Sequence, residues 1–117
     1  ALTTNSDLKN NYGSVRIWTP RGEVDTGERK IGCFLGDHVK TAIGTLINTG
    51  TVIEAGANIF GGMPPKYVPP FSWGTPDAPY EFDRFIATAE VVMGRRDIAL
   101  TERQHAMLRA AYGAGGR

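Results

Sequence analysis

Cysteine is nearly absent from this chain. The one residue, Cys33, rules out an internal disulfide and any metal cluster built from several thiolates. Histidine is scarce too: His38 and His105 are too few for a three-histidine zinc site, so no metal centre is expected. Neither sign of charge dominates, since 13 basic and 12 acidic side chains leave +1. That balance excludes bulk electrostatics as a route to nucleic acid or to an anionic membrane. No apolar run reaches the length of a membrane span, and no signal-peptide pattern opens the sequence. A reducing, cytoplasmic setting is the expectation. The fingerprints of nucleophile elbows, phosphate loops and dinucleotide sites are missing as well. What the chain does have is glycine, 15 in 117 residues, roughly twice the usual share of about 7%. Such an excess implies tight turns and close backbone approaches within one domain at most.

The stretch "LGDHVKTAIGTLINTGTVIEAGANIFG", residues 35 to 61, has a rhythm of six. Leu35, Thr41, Ile47, Ile53 and Ile59 share one register, and Val39, Thr45, Thr51 and Ala57 share another four residues on. A helix needs apolar residues three and four apart, which this stretch does not supply. A fixed short period over several copies is the mark of a repeat architecture. The expected fold class is therefore mainly β: a short parallel β-helix in which three hexads make one triangular coil. Ordinary strands broken by turns are the plainer alternative. Five hexads make fewer than two coils, short of the roughly three repeat units that a shared core usually needs. The chain is expected to borrow stability from its flanks, from preceding coils or from a neighbouring copy.

The flanks read differently. Residues 1–13 form a polar coil or loop, 14–30 a protruding hairpin arm, 31–61 the coils, 62–79 a proline-rich strap and 80–113 two α-helices. In the arm, "VRIWTPRGEVDT" alternates around turn residues, and Trp18 is expected against another surface, either a neighbouring subunit or its own chain. Four prolines in "GGMPPKYVPPFSWG" forbid a helix, and Tyr67, Val68, Phe71 and Trp73 would be the apolar feet of an extended strap. Phe82, Phe85, Ile86, Ala89, Val92 and Met93 lie at helical spacing. Thr101 with Gln104 is a capping box that opens a second helix, Gly113 its natural stop, and "GAGGR" a loose tail.

Few residues offer chemistry. His38, beside Asp37, is the one candidate general base; a locally bonded turn histidine is the plainer reading. Cys33 in "IGCFLG" reads as a small buried hydrophobe. The run "TTNSDLKNNYG", residues 3 to 13, crowds Asn5, Asp7, Asn10 and Asn11 into one segment. Amide side chains that donate and accept suit a sugar or an acyl carbonyl, and ordinary turn chemistry explains the same residues.

Joined to "DTGERKIGCFLGDHVKTAIGTLINTGTVIEAGANIFGG" and "PPKYVPPFSWG", that run resembles the carboxy-terminal part of bacterial sugar-1-phosphate nucleotidyltransferase-like proteins. These are relatives of the bifunctional N-acetylglucosamine-1-phosphate uridyltransferase/glucosamine-1-phosphate acetyltransferase. The resemblance implies a left-handed parallel β-helix, a homotrimer, and acetyl- or another acyl-coenzyme A held between subunits beside a sugar phosphate. It assigns Asn5, with Asp7 nearby, to the sugar or acetyl group, and Ile43 and Gly61 to the cofactor groove. It also implies that the family's catalytic histidine belongs to a coil preceding Ala1, so that this chain alone is weak or inactive. Glu54 departs from the small residue usual at its position. A non-catalytic trimerisation or regulatory scaffold is the alternative.

Overall fold

The computed structural model describes residues 2–114, apart from the side chain of Pro76. The loose tail expected after Gly113 falls, at 115–117, outside the described residues. Within the hexads the two registers do what their side chains dictate. Ile47, Ile53 and Ile59 are almost fully buried, and Thr45, Thr51 and Ala57 are sealed completely. Extended backbone suits the β-branched members, and the small members let neighbouring turns approach. With Val68, and with Cys33 and Val39 at its margin, the isoleucines and Ala57 form one core cluster.

The strands that carry these residues are mostly two residues long. β1 (Thr4–Asn5) is followed by the hairpin of β2 (Arg16–Thr19) and β3 (Gly22–Asp25). The hexads then supply β4 (Phe34–Leu35), β5 (Lys40–Thr41), β6 (Leu46–Ile47), β7 (Val52–Ile53) and β8 (Asn58–Ile59). β9 (Tyr67–Val68), β10 (Ser72–Trp73) and β11 (Thr75–Pro79) follow, and then α1 (Phe82–Gly94) and α2 (Glu102–Ala114). Among the described residues the strands fall into four separate sheets: β1-β6, β2-β3, β4-β7-β9 and β11-β10-β8-β5.

This corrects the expected fold. The left-handed parallel β-helix is not what the chain forms; small sheets of two to four strands and two helices take its place. The reason lies in where the rhythm stops. Phe34 pairs with Val52 and Lys40 with Asn58, three hexads on, as a six-residue beat requires. After Ile59 the beat is lost, because prolines 64, 65, 69 and 70 cannot donate to a ladder. The next pairings, Val52 with Tyr67 and Asn58 with Trp73, come at a shorter interval. β10 then turns back antiparallel onto β11, and β6 finds its partner in β1, across the hairpin rather than in a neighbouring hexad. No solenoid is propagated among the described residues.

The first hexad also departs from expectation. Leu35 is 53% exposed because β4 lies at the end of its sheet. Gly36 serves a close approach rather than a special torsion: a Cβ there would lie 2.5 Å from the Ala55 nitrogen. The left-handed turn falls instead on His38, at φ 62°.

A second cluster joins the strap to the helices: Phe71, Tyr80, Phe82, Phe85, Ile86 and Ala89. Phe82, Phe85, Ile86 and Ala89 repeat at helical spacing, so α1 buries that face; Val92, expected in the stripe, is 38% exposed. α2 has no fully buried residue. Its start is secured by the capping box, in which the Gln104 N–H donates to Thr101 Oγ1 and the Thr101 N–H to Gln104 Oε1. It runs through Gly113 instead of stopping there. Arg109 lies over Phe82, 5.0 Å from the ring centre. No helix among the described residues is long and apolar enough to cross a membrane.

Lys40, on β5, is partly buried, and desolvation lowers its pKa from the ordinary lysine value. The folded chain thus carries a cost for the charged ammonium, present in full below the lowered pKa. Stability is expected to rise as pH climbs from that pKa toward about 10.4, where the unfolded chain also loses its proton. Urea midpoints across that alkaline range should rise in the parent protein and stay flatter in Lys40→Met.

Candidate polar binding site

The run at 3–13 is placed by β1. Its Thr4 N–H donates to the Thr45 carbonyl at 3.0 Å, and the Ser6 N–H to that of Ile47 at 2.9 Å. Ser6 Oγ folds back on Leu8, donating to its carbonyl at 2.9 Å, and so starts the loop. Further on, Asn11 Oδ1 accepts from the Gly13 N–H at 2.9 Å, an Asx turn. The loop thereby faces the turn after β6, at Asn48 and Thr49.

Between them lies a cavity of about 570 Å³ with Ser6, Lys9, Asn10, Asn48, Thr49 and Lys66 in its wall. Lys9 reaches it from the N-terminal loop, its Nζ donating to the Ser14 carbonyl at 3.3 Å. Lys66 reaches it from the strap, its Nζ donating to the Arg16 carbonyl at 3.1 Å. An ammonium has three donors, so each lysine is positioned by one bond and retains others for a ligand. Asn48 Oδ1 accepts from the Thr49 N–H at 2.9 Å, which orients the amide. Two cations, amides and hydroxyls in one recess suit an anionic, hydroxyl-bearing small molecule.

The residues expected from the sequence are distributed as follows. Asn5 is exposed on β1, and its Nδ2 lies 3.7 Å from where a Cβ on Gly32 would stand. Asp7 is exposed, and its carbonyl accepts from the Ile31 N–H at 3.2 Å. Both flank the cavity in sequence without forming its wall. Ile43 and Gly61 do come together: a Cβ on Gly61, at φ 100°, would lie 3.4 Å from the Ile43 carbonyl oxygen. His38 stands elsewhere, with its ring edge-on to Phe85 at 5.5 Å, over a small recess beneath α2. Among the described residues no group of three or more histidine, cysteine, aspartate or glutamate side chains gathers to hold a metal.

Sequence reasoning missed Lys9, Asn48, Thr49 and Lys66. Only the crowding of polar residues at 3–13 pointed to this corner, and nothing in the sequence ties Lys66 to Lys9. Trp18 stacks on Tyr67 with centroids 3.7 Å apart, which packs the arm onto its own chain and brings Lys66 alongside. No protein-family model, curated protein or solved structure matches the chain.

Proposed function

We propose that this chain is the substrate-binding part of an acyltransferase-like protein. It holds a sugar phosphate in the polar cavity and an acyl-coenzyme A against the adjoining turns at Ile43 and Gly61. The observation that carries this reading is the pairing of Lys9 and Lys66, from distant parts of the sequence, in one recess with amides and hydroxyls. Phosphate is met by the two ammoniums, and the amides of Asn10 and Asn48 serve sugar hydroxyls. Proton removal from an acceptor amine needs a base, and among the described residues neither a histidine nor a carboxylate stands in the cavity wall. The role is therefore binding, and turnover by this chain alone is expected to be weak or nil.

Calorimetric titration with glucosamine-1-phosphate tests this. Saturable binding is expected, weakened about tenfold by Lys9→Ala and again by Lys66→Ala, consistent with charge-assisted bonds of roughly 1.5–3 kcal/mol. Raised salt should weaken the parent more than the double variant. Unchanged affinity in the double variant would remove the cavity from consideration.

A second reading, a non-catalytic assembly scaffold, has one specific observation behind it. Phe34, Leu35 and Leu46 are each close to half exposed, the first two on β4 at the end of its sheet. Apolar residues on an unpaired strand edge favour association. Sedimentation across a concentration series decides it: a trimer together with no saturable heat from coenzyme A or sugar phosphate supports the scaffold.

A further inference from the structure

Apart from the polar cavity, an apolar strip lies open on the surface. It begins at Ile43, 72% exposed, passes Gly61, and continues over Phe60, 58% exposed, to Trp73, 43% exposed. The Phe60 and Trp73 rings meet edge-on with centroids 5.0 Å apart. Gly74, at φ 80°, leaves room for Phe60, whose ring would lie 2.5 Å from a Cβ at that position. Beyond Trp73 the strip ends in a cavity of about 510 Å³, lined also by Tyr80, Glu81, Arg84 and Thr88. Tyr80 lies 4.7 Å from Trp73, tilted by 56°. Scattered apolar residues on a surface are ordinary; a run that ends in aromatic rings beside a guanidinium suits a ligand with an apolar arm.

We propose that the cavity of Trp73, Tyr80 and Arg84 takes the base and phosphate of a purine nucleotide, the nucleotide end of an acyl-coenzyme A whose flexible arm lies along Ile43, Gly61 and Phe60. The proposal rests on the acyl-coenzyme A reading above and adds where the nucleotide sits. Three features select this occupant. An indole offers a purine a stacking surface that tolerates any base. A guanidinium meets phosphate oxygens two at a time. The strip leading away from the rings is apolar, with Phe60 and Ile43 exposed, which suits a flexible acyl-bearing arm. Arg84 is free to respond: its Nε lies 3.4 Å from Glu81 Oε2, and the two side chains are 81% and 76% exposed. Such a surface pair contributes little, so a phosphate displaces Glu81 readily. Glu81 then opposes the ligand by like charge.

The test is calorimetric titration of the full chain with coenzyme A, adenosine 3′,5′-bisphosphate, adenosine and pantetheine. Trp73→Ala is expected to weaken coenzyme A and the bisphosphate about tenfold or more and to leave pantetheine unchanged. Arg84→Ala, at an exposed position that does not endanger folding, should weaken both phosphorylated ligands and spare adenosine. Glu81→Gln should tighten the bisphosphate severalfold and leave adenosine as it was. Parent-like affinity for coenzyme A in both Trp73→Ala and Arg84→Ala would overturn the proposal while the acyl-coenzyme A reading stands. Failure of the unaltered protein to bind coenzyme A at all would overturn that reading, and the proposal with it.

Discussion

Phe71→Ala is expected to cost about 3–5 kcal/mol, the usual range for deleting a fully buried aromatic ring. Against a typical total of about 5–15 kcal/mol, that leaves the folded state marginal. Phe71 is sealed completely and sits where the two halves of the chain meet. Its N–H donates to the Ala55 carbonyl at 2.9 Å, and its carbonyl accepts from the Tyr80 N–H at 2.7 Å. The ring lies edge-on to Phe85 at 4.9 Å and to Tyr112 at 5.1 Å, so it touches both helices. It also covers Gly56, where any Cβ would strike it. Because α2 has no fully buried residue of its own, loss of this ring should release α2 before the rest of the chain unfolds. Urea unfolding followed at 222 nm should show a lowered midpoint and an early, shallow loss of helix. Phe71→Leu, which keeps part of the volume, should lie between the two. A midpoint within error of the parent would show that the ring does not join the two clusters.

Gly36→Ala is expected to cost about 3 kcal/mol or more, at the upper end of the range for overpacking. The added methyl would meet the Ala55 nitrogen at 2.5 Å and its Cα at 2.8 Å. Backbone cannot rotate aside as a long side chain can, so relief requires β4 and β7 to part. Those strands hold the bond from the Gly36 N–H to the Ile53 carbonyl, 2.8 Å, and this bond should lengthen first. Hydrogen exchange at Gly36 and Phe34 should accelerate well beyond the global change. Gly44→Ala is the control, since nothing lies within 4 Å of a Cβ there and only its positive φ is penalised. Its cost should be about 1–2 kcal/mol. Equal losses at the two sites would mean that the torsion at Gly44, rather than the approach at Gly36, dominates.

Much of the local chemistry was legible. The buried isoleucines and threonines follow from a six-residue spacing, and the buried face of α1 from a helical one. The reciprocal bonds of Thr101 and Gln104 follow from two residue types three apart. The fold itself was not legible in the same way. A rhythm of six pairs Phe34 with Val52, but it says nothing of how many times the pairing repeats. The prolines end it, β1 enters from across the hairpin, and the expected left-handed β-helix gives way to separate small sheets. Asn5 and Asp7 lie beside the polar recess in sequence without lining it. Lys66 was invisible because its place depends on Trp18 stacking on Tyr67, a contact across distant segments.

Sequence alone determined which side chains seek the interior and where helices begin. These are matters of neighbours along the backbone, where spacing is enough. Tertiary structure decided which strand edges stay open, which lysines share a recess and where the aromatic strip runs. Each of those depends on segments brought together by burial, and hydrophobic burial has no direction of its own. It specifies that Ile53 and Phe71 be covered, and leaves the choice of what covers them to the packing of the whole chain.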